Sequence, residues 1–247
     1  MDSTSNSVII KIKDLSKSFG EKVILDGFNL SVKRGTNVVI LGKSGSGKSV
    51  LIKCIIGLLK PESGSIFVNE ANITSLSEDE LDETRTKIGF LFQSNALYDS
   101  MTIRENLEFP LLRHWVDITR EEVDRLVSEA LENVDLLHTL DMMPSELSGG
   151  MLKRVALART MILRPEVILY DEPTTGLDPV TSREIENLIM KLQAKNDTSS
   201  IIISHDMNCV KNTADVIVLL LEGKNYAEGS YEELSNSTDK NIKQFFD

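Results

Sequence analysis

The sequence has no long apolar stretch, only two cysteines and no excess of positive charge. Its longest uninterrupted apolar run is Val216–Leu221, far short of the ~20 residues that a membrane-spanning helix needs. Cys54 and Cys209 match no metal-binding spacing and lie among apolar residues, so we expect both to be reduced core residues. Residues 1–13 lack the charged start, apolar middle and cleavage site of a secretion signal. We therefore expect a cytosolic chain that reaches any membrane through a partner.

The charge balance also limits the possible partners. The formal net charge of the 247 residues is -11, which opposes nonspecific binding to nucleic acid or to anionic lipid. We therefore expect no nucleic-acid partner. The length suits one large α/β domain, with 41% hydrophobic residues to fill its core. Because no internal repeat or low-complexity linker interrupts the chain, the expected organisation is a single domain over residues 1–247.

Short apolar runs alternate with helical periodicity along the chain. We predict strands at 8–12, 23–32 (broken at Asp26-Gly27), 37–41, 65–69, 88–92, 167–170 and 201–203, and two more within 216–231. The alternation with helices predicts a largely parallel sheet. Residues 94–160 are predicted to form a helical subdomain and residues 236–247 a tail. One helical face there should hold Leu107, Leu111 and Leu112; a second should hold Val123, Leu126, Val127, Ala130, Leu131 and Val134.

A glycine-rich loop follows the predicted strand 37–41 and precedes a helix predicted from Ser49 to Leu59, ended by Pro61 and Gly64. It fits the pattern G-x-x-x-x-G-K-[ST], the P-loop, whose backbone N–H groups and helix N-terminus bind phosphate oxygens. Lys48 is expected to reach the β and γ phosphates, and the Ser49 hydroxyl to bind Mg²⁺. The predicted nucleotide contacts of this segment are Gly42, Lys43, Ser44, Gly45, Ser46, Gly47, Lys48, Ser49 and Val50.

Two carboxylates end the predicted strand 167–170. Asp171 is placed to hold Mg²⁺, and Glu172 follows it at once, where it can act as a general base toward an attacking water. Many strands end in Asp, so this pattern is weak alone. With the P-loop it predicts an ATPase that uses ATP and Mg²⁺.

Four further segments resemble motifs of the ABC transporter ATPases. Leu147-Ser148-Gly149-Gly150-Met151 resembles the ABC signature, although Met151 stands where Gln is usual. Gln93 follows a strand as the Q-loop glutamine does. Ser204-His205-Asp206 resembles the segment of the switch histidine, and Thr175-Gly176-Leu177-Asp178 resembles the D-loop. In addition, Phe19 lies upstream of the P-loop, where the family places an aromatic residue that stacks on adenine.

This resemblance covers residues 8–235 and implies the fold and the site. The expected fold is an α/β P-loop NTPase core of the ABC type, with an antiparallel β subdomain and an α-helical signature subdomain. Glu172, His205 and Gln93 would be catalytic, and Ser49, Gln93 and Asp171 would hold the metal. Phe19 would bind the adenine. Ser148, Gly149, Gly150 and Asp178 would contact the nucleotide of a second, head-to-tail subunit, and Ser148 would open a helix running through Leu163.

The stretch from Phe92 to Leu111, the Met151 ending and the 243–246 segment resemble the ATPases of Mla-type lipid transporters, which work with MCE-family proteins. This implies an ATPase that powers phospholipid movement between the membranes of a diderm bacterium. It would sit on the cytoplasmic face of the inner membrane, held there by a permease and accompanied by an MCE-domain lipid-binding protein. Candidate residues of the permease groove are Leu97, Tyr98, Met101 and Phe109.

Four alternatives stay open. The chain could power an ABC transporter for another substrate. It could be a soluble ABC ATPase that acts on DNA or ribosomes, against which its charge and the lack of a coiled-coil insertion or a second ATPase domain argue. A GTPase is disfavoured because no Asn-Lys-x-Asp motif is present, and a catalytically dead scaffold because Lys48, Asp171, Glu172 and His205 are all present.

Overall fold

The computed structural model describes residues 7–115 and 117–246. The first six residues of the predicted polar N-terminal segment therefore lie outside the described residues, as do Val116 and Asp247. Within the described ranges, no helix is long and apolar enough to cross a bilayer.

The larger of the two sheets has six strands in the order β10-β9-β3-β8-β7-β6. Five of them pair in parallel, and β10 pairs antiparallel with β9. This confirms the predicted, largely parallel sheet. The strands are β3 (Asn37–Leu41), β6 (Ile88–Leu91), β7 (Val167–Asp171), β8 (Ser199–Ile203), β9 (Val216–Leu221) and β10 (Lys224–Gly229).

The smaller sheet is antiparallel, in the order β2-β1-β4-β5. It consists of β1 (Val8–Phe19), β2 (Lys22–Lys33), β4 (Ser63–Val68) and β5 (Ala71–Asn72). The predicted break at Asp26-Gly27 is wrong, because β2 is continuous and the pairing register shifts between Leu15↔Phe28 and Lys17↔Leu25. Gly27 takes a φ of +61° there, and the two irregular residues form a bulge instead of ending the strand.

Nine α-helices lie within the described residues: α1 (Lys48–Ile55), α2 (Glu78–Arg85), α3 (Ile103–His114), α4 (Arg120–Glu132), α5 (Gly149–Met161), α6 (Pro179–Asn196), α7 (Met207–Thr213), α8 (Tyr231–Ser235) and α9 (Lys240–Lys243).

The first helix ends four residues earlier than predicted. Gly57 takes a φ of +73°, and the backbone N–H groups of Leu58 and Leu59 turn back to the carbonyl of Lys53. Glycine adopts this left-handed conformation without a Cβ penalty, so the helix stops before Pro61 and Gly64. The signature helix α5 likewise ends at Met161 instead of Leu163, with Ile162 as its C-cap.

Of the two predicted helical faces, the one from Val123 to Val134 is fully buried, and the one on α3 is buried only in part. All six members of the second predicted stripe, from Val123 to Val134, are buried. In α3, Leu107 and Leu111 are buried but Leu112 is 55% exposed, so its prediction was wrong. At 3.6 residues per turn, Leu112 lies about 100° around the helix from Leu111 and leaves the buried stripe.

Strand β3 is buried on both faces and separates two hydrophobic cores. Val39 and Leu41 face the core shared with helices α3 to α7. Val38 and Ile40 face the core shared with α1 and the antiparallel sheet. Cys54 and Cys209 are free and buried, as expected. This two-sided packing fixes the carboxyl end of β3, from which the P-loop starts.

Candidate nucleotide-binding site

The loop between β3 and α1 is shaped by glycines in the left-handed region. Gly45 and Gly47 have φ values of +76° and +104°, and Gly47 is the N-cap of α1. A Cβ on Gly47 would lie 2.7 Å from Ile24 Cγ2, so only glycine fits between the loop and β2. Among the described residues, no side chain caps α1 and no acidic residue occupies its first turn. The helix N-terminus therefore presents N–H groups and a partial positive charge, which suit a phosphate.

Lys48 lies across this loop. Its ammonium donates hydrogen bonds to the carbonyls of Gly42 (2.8 Å) and Lys43 (3.1 Å), and the residue is 7% exposed. Burial lowers the pKa of the Lys48 amine, and the nearby carboxylates of Glu172 and Asp171 oppose that shift. The amine is thus held beside the loop by carbonyls and carboxylates.

The two predicted protein ligands of Mg²⁺ on α1 and β7 lie together. The Ser49 hydroxyl donates to Asp171 Oδ1 at 3.1 Å, and Asp171 is buried at the end of β7. Burial raises the pKa of the Asp171 carboxyl, and the hydrogen bond from Ser49 opposes the rise. In the described part of the chain, no three His, Cys, Asp or Glu side chains cluster as a metal site. A hydroxyl and one carboxylate fit Mg²⁺, which keeps water and phosphate oxygens as its other ligands.

The carboxyl ends of the neighbouring strands β7 and β8 bring Glu172 and His205 together. His205 Nδ1 lies 2.9 and 2.8 Å from the two carboxylate oxygens of Glu172, which also accepts a hydrogen bond from the Thr175 hydroxyl. Glu172 has a φ of +51°, and its backbone N–H donates to the carbonyl of Ile203. Because of this turn, the Glu172 side chain points in a different direction from that of Asp171. The two adjacent carboxylates therefore contact different residues, His205 and Ser49 respectively.

Lys48, Ser49, Glu172 and His205 border one open cavity of about 600 Å³, whereas Asp171 is not one of its lining residues. Of the predicted residues, it is lined by Gly42, Lys43, Ser44, Gly45, Gly47, Lys48, Ser49, Val50, Gln93, Glu172 and His205. It is also lined by residues that sequence reasoning missed: Ile24, Leu41, Met207, Gln244 and Phe245. Only Gln244 and Phe245 carried a signal, because they lie in the tail segment that resembled the lipid-transport subgroup.

Phe19 is not brought into this cavity. It ends β1, is 51% exposed and carries the Lys17 ammonium 5.2 Å from its ring centroid. Its predicted stacking on adenine stays a prediction.

The signature residues lie in a separate cleft of about 450 Å³, which shares no lining residue with the first. Ser148 caps α5 by accepting the backbone N–H of Met151 at 3.4 Å. Asp178 caps α6 by accepting the N–H groups of Val180 and Thr181, and the Thr181 hydroxyl is the main cause that lowers the pKa of this carboxyl. Gly149 and Gly150 lie between these two caps. Each chain therefore carries two polar clefts.

Comparison with known proteins gives the family. The family model described as ABC transporter matches residues 25–175. The chain belongs to the ABC transporter family. It is 40% identical over 240 residues to the intermembrane phospholipid transport system ATP-binding protein MlaF of Haemophilus influenzae, covering 97% of this chain and 90% of that protein. It is also 40% identical over 238 residues to the probable ribonucleotide transport ATP-binding protein mkl of Mycobacterium leprae, covering 96% and 68%.

A solved ABC structure has the same fold. The dimeric post-hydrolysis state of the ATP-binding cassette MJ0796, bound to ADP and Pi, superposes with a TM-score of 0.81. The two are 34% identical, and the match covers 90% of this chain and 98% of that one. The predicted ABC-type P-loop fold is therefore confirmed, and the chain is an ATPase that energises a transporter.

In this ABC chain, helix α5 also holds the segment that carries Gln93. The Lys153 ammonium, 2% exposed, donates to the carbonyl of Gln93 at 3.0 Å, and burial lowers the pKa of this amine to about 8. The Arg159 guanidinium donates to the carbonyl of Asn95 at 3.1 Å. Sequence reasoning missed both contacts, which join residues 60 and 64 positions apart. The signature cleft and the nucleotide cavity are thus connected through one helix.

Proposed function

We propose that this chain binds ATP with Mg²⁺ and hydrolyses it as a head-to-tail homodimer, and that it powers a phospholipid transporter. The observation that carries the hydrolytic part is the contact of Glu172 with His205 at 2.8 Å beside the P-loop. At the edge of a phosphate-binding loop, a carboxylate can act as general base toward an attacking water, and an imidazole can donate a hydrogen bond to the phosphate.

The phosphate-binding roles follow from the contacts around the loop. Backbone N–H groups of Gly45 to Ser49 and the N-terminus of α1 would hold the phosphate oxygens. The Lys48 ammonium would exchange its two carbonyl partners for β and γ phosphate oxygens, a charge-assisted and stronger interaction. Ser49, Asp171 and Gln93 would hold Mg²⁺, which supplies charge neutralisation to the phosphates when bound.

Glu172 is proposed as the general base. Its carboxylate would accept a proton from the attacking water, and His205 would donate a hydrogen bond to the γ-phosphate. For this to happen, the contact between the two side chains must open, so that each gains its own partner. The Thr175 hydroxyl would keep the Glu172 carboxylate oriented during that exchange.

The dimer is proposed because each chain offers two unlike clefts. The cavity with Lys48 and the cleft with Ser148 share no lining residue. Head-to-tail pairing would bring each P-loop opposite the signature helix of the other subunit, where N–H groups at the start of α5 and the Ser148 hydroxyl would meet the γ-phosphate. The MJ0796 cassette, which shares the fold, is itself a dimer.

The permease is proposed to dock on the surface formed by the 97–101 loop and the start of α3. Tyr98 and Phe109 are 44% and 37% exposed, and their rings meet edge to face with centroids 5.2 Å apart. Leu97 and Met101 are partly buried beside them. An exposed aromatic pair, with Tyr98 on the loop and Phe109 on α3, suits an amphipathic helix of a membrane partner. This would hold the chain on the cytoplasmic face of the inner membrane.

Phospholipid is proposed as cargo because the chain is similar to a protein named for phospholipid transport. An MCE-domain lipid-binding protein is proposed as a further partner of this chain. The mycobacterial relative, named for ribonucleotide transport, is also 40% identical to this chain, but the match covers 68% of its length, against 90% for the phospholipid transport protein.

The test is purification of the tagged chain from its native membranes in mild detergent, followed by mass spectrometry of proteins and lipids. We expect a polytopic permease, an MCE-domain protein and bound phospholipid. A permease with a different substrate-binding partner would reject the lipid cargo. Recovery with ribosomes or nucleic acid and without a membrane protein would reject the transporter assignment.

A further inference from the structure

Residues 239–246 are docked on the body of the same chain. Asp239 caps α9 by accepting the N–H of Asn241 at 2.7 Å, and it accepts the Tyr226 hydroxyl of β10 at 2.8 Å. The Asn241 amide donates back to the Tyr226 oxygen at 3.0 Å. Two of these bonds join the start of the segment to Tyr226 on β10, the edge strand of the larger sheet.

Apolar contacts hold the rest of the segment. Ile242 is 8% exposed and belongs to the core that contains Leu219 and Val210. Phe246 packs its ring edge to face on Tyr231, with centroids 5.5 Å apart. The docking therefore uses burial as well as hydrogen bonds, which gives the intervening side chains defined positions.

Between these anchors, Gln244 and Phe245 line the nucleotide cavity together with His205 and Met207. The adjacent aromatic residues thus have different surroundings, since Phe245 borders the cavity and Phe246 packs on Tyr231. The His205 side chain is 65% exposed, and its Nδ1 contacts the carboxylate of Glu172. An imidazole that is exposed to this degree needs a neighbouring surface to restrict its orientation once that contact opens.

We propose that Phe245 is a positioning residue for ATP hydrolysis, which with Met207 forms an apolar wall on the His205 side of the cavity. The wall limits the orientations of the imidazole and excludes bulk water from the side where the γ-phosphate is attacked. Water exclusion strengthens the electrostatic interactions of the phosphate with its partners. This inference rests on the proposed function of the cavity, and in particular on the role of His205.

The test compares three substitutions in the whole 247-residue chain: Phe245→Ala, Phe245→Leu and, as the matched control, Phe67→Ala, a half-buried phenylalanine of β4 that is not a lining residue of the cavity. We expect Phe245→Ala to lower kcat on the order of 10-fold, below the about 10²-fold cost that misplaced catalytic groups can reach, with KM for ATP unchanged within about 2-fold. Phe245→Leu restores apolar bulk and should recover most of kcat. Phe67→Ala should keep the wild-type kcat.

Thermal melting and binding of a fluorescent ATP analogue separate this effect from unfolding and from failure of the proposed function. Wild-type chain that binds no nucleotide would reject the proposed function itself. If the wild type binds and hydrolyses ATP, but both Ala variants keep its kcat or lose it equally, the positioning role is rejected. A raised KM with unchanged kcat, or a higher kcat in Phe245→Ala, would also overturn it.

Discussion

At the residue scale, Glu172 shows how the backbone prepares a side chain. It is not glycine, yet it takes a φ of +51° directly after β7. Such conformations cost on the order of 1–3 kcal/mol and persist where the surroundings hold them. Here the N–H of Glu172 is bound to the carbonyl of Ile203, and its carboxylate to His205 and Thr175. The strained turn places the carboxylate at the cavity edge instead of beside Asp171.

Glu172→Gln should keep nucleotide affinity but slow turnover by about 10²–10⁴-fold, because the amide cannot accept the proton of the attacking water. The measurement is steady-state ATP hydrolysis together with equilibrium binding of ATP. Glu121→Gln, an exposed carboxylate in the first turn of α4, is the control and should leave both unchanged. A wild-type rate in Glu172→Gln would remove this residue from the role of base.

At the element scale, α5 packs closely on the start of α6. A Cβ on Gly150 would lie 2.7 Å from Thr181 Cγ2, whereas one on Gly149 would come no nearer than 4.0 Å to Leu177. Thr181 has little room to move, since its N–H and hydroxyl are both bound to Asp178. The two glycines of the signature therefore differ in what they contribute to the fold.

Gly150→Ala should lower the free energy of unfolding by about 1–3 kcal/mol, because the added methyl forces α5 and α6 apart. Gly149→Ala is the matched control and should be close to neutral for stability. Urea unfolding of both variants provides the comparison. Equal stability of the two would show that Thr181 yields without cost and would refute this account of the packing.

The loop before α3 depends on one buried amide. Asn106 is 0% exposed; its Oδ1 accepts the N–H of Tyr98, and its Nδ2 donates to the carbonyls of Tyr98, Met101 and Thr102 at 3.0–3.1 Å. This loop carries the exposed Tyr98 ring of the proposed permease surface. One side chain from α3 thus sets the shape of the neighbouring loop.

Asn106→Ala should destabilise the chain by about 2–4 kcal/mol, because the Tyr98 N–H and the Met101 carbonyl lose their side-chain partner and a cavity is left. Asn236→Ala is the control, since this exposed asparagine donates a single bond to the Glu232 carbonyl. Thermal unfolding compares the two, and recovery of the permease during purification tests the surface. A stability loss no greater than that of Asn236→Ala would contradict the structural role of Asn106.

At the scale of the whole molecule, the P-loop and the signature lie in separate clefts. In the proposed dimer, each chain therefore supplies the P-loop of one nucleotide site and the signature of the other. This leads to a prediction from two inactive variants. Lys48→Ala removes the phosphate-binding amine, and Ser148→Arg fills the signature cleft from an exposed position, at a capping cost of about 0.5–2 kcal/mol. Each variant alone should fold and be inactive.

When the two variants are mixed, half of the dimers formed at random are mixed pairs, and each such pair has one intact site. We expect recovery of up to about a quarter of the wild-type ATPase rate if the two sites act independently. The measurement is ATP hydrolysis before and after subunit exchange. No recovery despite demonstrated exchange would argue against the shared site, and so would activity of Ser148→Arg alone.

The sequence alone determined those features that depend on neighbouring residues. The bounds of β3 agree with the predicted strand 37–41. This strand is a run of five residues that ends at a glycine-rich loop, and both features can be read from adjacent residues alone. The buried stripe from Val123 to Val134 is likewise encoded within a single continuous segment. The P-loop motif and the order of the ABC motifs also indicate the family without reference to the fold.

Only the tertiary structure decided which distant groups meet. Local periodicity could not show that Leu112 leaves the buried face, or that Lys153 reaches the carbonyl of Gln93. It also could not show that Phe19 lies outside the cavity lining while Phe245 lies within it. The physical reason is the same in each case. Burial and side-chain hydrogen bonds across tens of residues depend on how helices pack on the sheet, and pattern within one segment carries no information about that packing.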